Sequence, residues 1–189
     1  MRRNPKITIE ESSEVYRPSD DTFLLLEAIS VEPGERFLEV GTGTGIIALH
    51  AAALTEASAT DANPEAVKLA RSNALANHLA LFVVRCDLMS AVRGPFDIVA
   101  LNPPYLAGRP TDELERAWHG GASGNEIAVR FLAELPRVLA PGGRAYLLLS
   151  RHNTEARKFA ELHFETKKVG SKTLFFETLD VLRLRQRFE

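Results

Sequence analysis

Phe37-Leu38-Glu39-Val40-Gly41-Thr42-Gly43-Thr44-Gly45 joins an apolar run to a glycine loop, and Ile46 to Leu54 follow with the apolar residues of a helix. A short apolar run of this kind suits a strand covered on both faces, as in a parallel sheet. The loop must turn sharply and let a ligand approach the backbone, which glycine permits at the least steric cost. A dinucleotide fingerprint, G-x-G-x-x-G, would place its third glycine at position 46; this chain has Ile46 there and Gly45 one residue earlier, which argues against NAD. Glu39 stands two residues before the first glycine, where its carboxylate can face a cationic amine at the strand's carboxyl end. The plainer reading of the glycines is a tight strand-to-helix turn needed for packing alone.

The flanking residues extend the pattern. Residues 1 to 15 are polar apart from Ile7 and Ile9 and read as a loosely attached arm. Ser19 suits a helix N-cap, Asp20 and Asp21 suit the positive helix start, and Phe23 to Ile29 form an apolar body that Pro33-Gly34 ends. Beyond the loop, Ala57 to Asp61 reads as a strand ending in an acid. Asp61 lies 20 residues past Gly41, the offset at which an acid in a βαβ unit reaches ribose hydroxyls, although a plain helix N-cap would also put an aspartate there. Pro64 then opens a helix with Ala66, Val67, Leu69, Ala70, Ala74 and Leu75 on its buried stripe.

Leu81 to Val84 begin a third strand that ends at Cys86-Asp87, and Phe96 to Leu101 form a fourth. Asn125 to Leu139 reads as a helix kinked at Pro136, Pro141 to Gly143 as a turn, Ala145 to Leu149 as a fifth strand, and Glu155 to Leu162 as a last helix. Phe164 to Val169 and Thr173 to Leu184 read as two final strands paired through Gly170-Ser171-Lys172. Strands alternating with helices and finishing in a hairpin predict an α/β, doubly wound, Rossmann-like seven-stranded sheet, mostly parallel with one antiparallel strand.

Composition narrows the class. A chain of 189 residues suits one domain, here 1–189, and can bury a sizeable core without metals or disulfides. Lys and Arg number 23 against 25 Asp and Glu, so a net charge of -2 gives no general attraction to a phosphate backbone and nucleic acid is not the expected partner. Cys86 is the one cysteine and cannot form an internal disulfide; with no apolar leader and no run of about 18 apolar residues, the expectation is a protein of the cytoplasm with no membrane association. The five histidines show no metal-ligand spacing, so no metal is expected.

Asn102-Pro103-Pro104-Tyr105 follows the fourth strand. Consecutive prolines fix two φ angles and remove two donors, so the segment presents carbonyl oxygens without competing amides. Residues 106 to 123, with Trp118 and His119 among several glycines, read as a lid or binding loop. A rigid acceptor platform suits chemistry on a planar nitrogen, whose lone pair is delocalised until acceptors orient its N–H groups.

Together these residues resemble the class I S-adenosylmethionine (SAM) methyltransferases, and among them the HemK-type protein glutamine methyltransferases of the archaeal and eukaryotic branch. The resemblance rests on Tyr16 to Thr22, Leu38 to Gly45, Asp61-Ala62-Asn63-Pro64, Asp87, Asn102 to Tyr105, Trp118-His119-Gly120-Gly121 and Pro141-Gly142-Gly143. It implies a SAM cofactor held by Tyr16, Pro18, Thr22, Glu39, Gly41, Thr42, Gly43, Gly45, Asp61, Ala62, Asp87, Leu88 and Asn102. Within that set Asp87 would bond the adenine amino group and Leu88 would touch the ring. Residues 1–30 would be an arm and helix packing over the cofactor. Catalysis would fall to Asn102, Pro103, Pro104 and Tyr105, with the Asn102 side-chain oxygen and the Pro103 carbonyl accepting the two N–H groups and Tyr105 packing on the flat amide.

The implied substrate is the glutamine of the Gly-Gly-Gln motif in a translation release factor, and the implied partner is a small zinc-binding activator protein on the edge strand 81–87. The bacterial branch carries an extra N-terminal helical domain for which about 36 residues before the loop leave no room. An adenine-N6 methyltransferase, a protein-lysine methyltransferase and a non-enzymatic SAM-binding module remain as rival readings.

Overall fold

The computed structural model describes residues 1–104, 123–174 and 177–187. Seven strands form one sheet in the order β3-β2-β1-β4-β5-β7-β6. β1 (Arg36–Val40), β2 (Glu56–Asp61), β3 (Leu81–Arg85), β4 (Phe96–Leu101) and β5 (Leu139–Ser150) run parallel, and β7 (Glu177–Gln186) lies antiparallel between β5 and β6 (Phe164–Leu174). This is the doubly wound sheet expected from the sequence, with one reversed strand and β3 at an edge.

Strand alternation divides the core into two layers. On one face Phe37, Ile98, Ala100, Tyr146 and Leu148 pack with α1 (Asp20–Ala28) and α2 (Ile46–Ala52), and Ala59 and Val83 continue that layer under α3 (Pro64–Ala76). On the other, Leu38, Val40, Val99, Leu101, Leu147 and Leu149 meet α4 (Glu126–Val138) and α5 (Thr154–His163). Since successive strand residues point to opposite faces, the strands between the layers carry apolar residues on both, as β4 does everywhere but Asp97 and β1 does at Phe37, Leu38 and Val40.

Three expectations need correction. The N-terminal arm is not loose. Asn73 and Asn77, one turn apart on α3, each bond both backbone groups of an arm residue: Asn73 takes the Glu10 N–H (2.8 Å) and gives to its carbonyl (3.1 Å), and Asn77 does the same for Thr8 (3.0 and 2.6 Å). Four helical residues rise about 6 Å and two extended residues about 6.6 Å, so two amides on a helix can match alternate residues of a strand. Ile7 and Ile9 pack against the core, the Asn4 N–H donates to His50 Nε2 (3.0 Å), and Val15 is buried.

The final hairpin does not turn at Gly170-Ser171-Lys172. β6 continues through Leu174, and the register merely shifts between Lys168 and Gly170. Gly170 serves close packing instead: a Cβ there would sit 3.4 Å from both Ala28 Cβ and Leu24 Cδ1 of α1. Likewise Pro141-Gly142-Gly143 lies within β5 as a bulge, since the pairing jumps from Phe96 with Leu139 to Ile98 with Arg144.

Candidate active site at the strand switch point

The chain leaves β1 toward β2 and β3, then returns to the other side of β1 with β4. Such a reversal opens a crevice beyond the carboxyl ends of the strands, where open α/β sheets bind ligands. Register places the candidate residues along that rim. Val40 pairs with Thr60 on one side and Leu101 on the other, and Asp61 pairs with Arg85, so the glycine loop, Asp61, Asp87 and Asn102 all follow aligned strand ends.

The loop is held by its own acids. Glu39 is buried, and its Oε2 accepts from the Thr42 hydroxyl (2.6 Å) and the Ala48 N–H at the start of α2 (2.9 Å). Burial pushes its carboxyl up to about 8 despite those two bonds, with the nearby Asp61 charge adding to the rise. Asp61 Oδ2 accepts the Gly43 N–H (2.9 Å) and Oδ1 the Asn63 N–H (2.9 Å); burial raises its carboxyl too, opposed by these amides. Asp61 is therefore not the N-cap of α3. Asn63 fills that place, its side chain accepting from Glu65 N–H (2.9 Å).

Gly43, at φ +55°, turns its amide to Asp61. Gly45, at φ +87°, has a packing reason as well: a Cβ there would lie 3.1 Å from Ala70 Cβ, so the third glycine lets α2 start against α3. The plain packing reading thus accounts for Gly45 and leaves Gly41, exposed at the strand end, where a Cβ would meet Leu101 Cδ1 only at an ordinary 3.6 Å.

Thr42 is buried with its hydroxyl on Glu39, and Ala62 is exposed beside Asp61. Asp87 stands on the surface past β3, where it pairs with Arg130 of α4 at 2.5 Å. Leu88 is buried with its side chain in the α4 layer, at φ +47°, and its carbonyl accepts from the Thr60 hydroxyl (2.9 Å).

Across the crevice, the arm passes over the loop into α1. Val15 Cγ1 and the Tyr16 carbonyl each lie 3.8 Å from where a Cβ on Gly43 would project, and Asn63 Nδ2 donates to the Glu14 carbonyl (2.9 Å). Pro18 is half-buried at the entrance to α1, and the Thr22 hydroxyl accepts the Ser19 N–H (3.3 Å). Tyr16 donates its hydroxyl to Asp21 Oδ2 (2.9 Å), and burial pushes its phenol up to about 12.

Asn102 reaches the same acid: its Nδ2 donates to Asp21 Oδ2 at 3.2 Å. Its Oδ1 is buried and has no hydrogen-bond partner among the described residues. A buried carbonyl oxygen left unbonded costs about 1–3 kcal/mol, so natural folds keep few of them without a ligand to satisfy them. Pro103 is buried and Pro104 half-buried behind it; Tyr105 and the Trp118 to Gly121 segment lie outside the described residues.

Sequence reasoning assigned Asp21 only to the helix start. The signal for more was present: Asp21 precedes Leu25 by four residues and so shares the inward stripe of α1, where it is 2% exposed.

The family profile of the methyltransferase small domain matches residues 17–179. The chain belongs to that family. A Methanocaldococcus jannaschii protein named for N5-glutamine methylation of protein is 36% identical over 188 residues, 93% of this chain and 94% of that one. Methyltransferase HEMK2 of Mus musculus is 33% identical over 163 residues, 77% and 76% of the two chains. Among solved structures, Mtq2 of E. cuniculi, in a complex with Trm112 that methylates the eRF1 termination factor, is 25% identical with a TM-score of 0.74 over 92% of this chain and 99% of that one. These relatives place the chain among the HemK-type protein glutamine methyltransferases.

Proposed function

We propose that the protein transfers a methyl group from SAM to the side-chain amide nitrogen of a glutamine, that of the Gly-Gly-Gln motif of a translation release factor. The observation that carries this reading is the buried Asn102 Oδ1 at the end of β4, an acceptor with no donor among the described residues. A primary carboxamide brings two N–H donors, one for Asn102 Oδ1 and one for the Pro103 carbonyl.

The residues present fit SAM. Glu39 offers a buried carboxyl to an ammonium group, Asp61 lies at the offset for ribose hydroxyls, Asp87 can take an adenine amino group, and Tyr16, Pro18 and Thr22 close the crevice from the arm. When bound, SAM supplies an electrophilic methyl carbon on a sulfonium, whose carbon–sulfur electron pair leaves with sulfur as the carbon–nitrogen bond forms. Asn102 and Pro103 would hold the amide plane by accepting its two N–H groups, leaving the face of its nitrogen open to the methyl donor. Positive charge then develops on nitrogen, and the two pre-placed oxygens stabilise it without reorganising. The charged amide loses its proton to solvent, so no strong base is needed in the site.

The open edge of the sheet supports a partner. Among the described residues β3 pairs only with β2, and Phe82 on it is 68% exposed, an apolar side chain on the open edge. A small zinc-binding activator protein that adds a strand there would cover both. No helix among the described residues is long and apolar enough to cross a membrane, and a release-factor substrate sets the reaction in the cytoplasm.

Mass spectrometry of a release factor incubated with the protein and SAM tests the reading, with and without the activator. One added methyl on the Gly-Gly-Gln glutamine is expected; methyl found only on nucleic acid supplied alongside would overturn it.

A further inference from the structure

We infer that Asp21 of α1 is a positioning residue that sets which end of the Asn102 side chain meets the substrate. The inference rests on the reaction just proposed and concerns a residue to which that reaction assigns no role.

The two ends of an asparagine amide are nearly equal in shape, and only their hydrogen-bond partners decide which way the group faces. An ionised carboxylate accepts and cannot donate. Asp21 Oδ2, 3.2 Å from Asn102 Nδ2, therefore selects the nitrogen end, and the oxygen end is left pointing the other way with no partner among the described residues. That leftover oxygen is the acceptor the substrate amide requires. An inverted Asn102 would set an N–H against an N–H and leave one carboxamide donor without its acceptor.

Asp21 is itself held so that it cannot be replaced silently. Oδ1 accepts the Thr22 backbone N–H (2.6 Å), the Ser19 hydroxyl (3.1 Å) and the Thr22 hydroxyl (3.2 Å), while Oδ2 also accepts from the Tyr16 hydroxyl (2.9 Å). The backbone N–H is the decisive one, because unlike a hydroxyl it can only donate. In an Asp21→Asn variant the new side chain must keep its oxygen on Thr22 N–H, which turns its NH2 toward Asn102. Two NH2 groups then face each other, and Asn102 relieves the clash by rotating its amide. The change removes no volume, yet it converts the end of Asn102 turned away from Asp21 from acceptor to donor.

The test uses the full chain, SAM and a release factor carrying Gly-Gly-Gln. D21N is expected to lower kcat by about 100-fold, the usual cost of losing one placed hydrogen-bonding group at a reacting centre. The SAM dissociation constant and the KM for release factor should stay within about threefold, since neither ligand touches Asp21 in this arrangement. The double variant D21N/N102D restores a donor-to-acceptor pair with an oxygen still directed outward, and should recover at least about tenfold over D21N.

A merely structural Asp21 would give no such rescue. NMR hydrogen exchange of the Asn102 side-chain NH2 provides a readout that needs no turnover: slow in the wild type, where Asp21 holds it, and fast in D21N. A D21N kcat within threefold of wild type, or a double variant no better than D21N, overturns the inference. Wild-type protein that leaves the release factor unmethylated instead overturns the reaction, and the exchange measurement then still decides Asp21. Should D21N not fold, rapid exchange of the wild-type Asn102 NH2 overturns the inference and slow exchange upholds it.

Discussion

Replacing Glu39 by Gln should make the ligand-free protein more stable at neutral pH while weakening its hold on SAM. Glu39 is fully buried, and its carboxyl is pushed from 4.5 in the free chain to about 8 in the fold, chiefly by burial. A raised carboxyl binds its proton in the folded state and has lost it in the unfolded state throughout the window between those values. The stability it lends is thus whole below pH 4.5 and declines as pH rises toward 8. By pH 7 the decline covers 2.5 units at 1.36 kcal/mol each, a loss of about 3 kcal/mol. Glutamine keeps an oxygen for the Thr42 hydroxyl and the Ala48 N–H and has no charge to desolvate. Urea unfolding followed from pH 4.5 to 8 should show wild-type stability sloping downward across the window and the E39Q curve lacking that slope. Titration calorimetry at pH 7.5 should show SAM binding at least tenfold weaker in E39Q, because the wild-type carboxyl can give up its proton to face the ammonium as a counter-charge and glutamine cannot. Parallel stability curves for the two proteins would refute the assignment of the pH dependence to Glu39.

Asn102→Ala should lower kcat by 100-fold or more while changing the melting temperature little, since the lost Nδ2 bond to Asp21 (3.2 Å) is offset by deletion of a buried oxygen that has no partner among the described residues. Asn73→Ala cuts the bonds to both backbone groups of Glu10 and a third to the Thr44 carbonyl (2.9 Å); a loss of about 2–3 kcal/mol by urea unfolding, with trypsin cutting first in the arm, is expected. Arg144→Met breaks a two-pronged ion pair with Glu35 (2.6 and 2.8 Å) and bonds to Ser30 and Tyr146. It should cost about 2 kcal/mol at pH 7 and less as pH falls below 4.5, because Arg144 holds the Glu35 carboxyl below its usual value, a stabilisation lost once that carboxyl protonates.

The parallel half of the sheet was legible because its signals are local. A buried strand, a glycine turn and a helix each declare themselves within ten residues, and the Glu39, Asp61 and Asn102 positions follow from strand ends. What the sequence concealed depends on contacts between distant segments. Gly170 looked like a turn because glycine serves turns and close packing alike, and only α1, some 140 residues earlier, settles which. The arm looked loose since its anchors are Asn73 and Asn77, polar residues on a helix whose partners lie more than 60 positions away. Asp21 was hidden by a sufficient local explanation, the helix start, which masked its place on the buried stripe.

The pairing of Asn73 and Asn77 with Glu10 and Thr8 turns the arm into a ruler. One end is clamped by α3 and the other arrives at Tyr16, whose hydroxyl must meet Asp21, so the residues between have a fixed distance to cover. Adding or deleting a single residue there would have to be absorbed at one clamp or the other. The span of chain from Glu10 to Tyr16 is therefore a dimension of the site, and its length matters more than the identity of most residues in it.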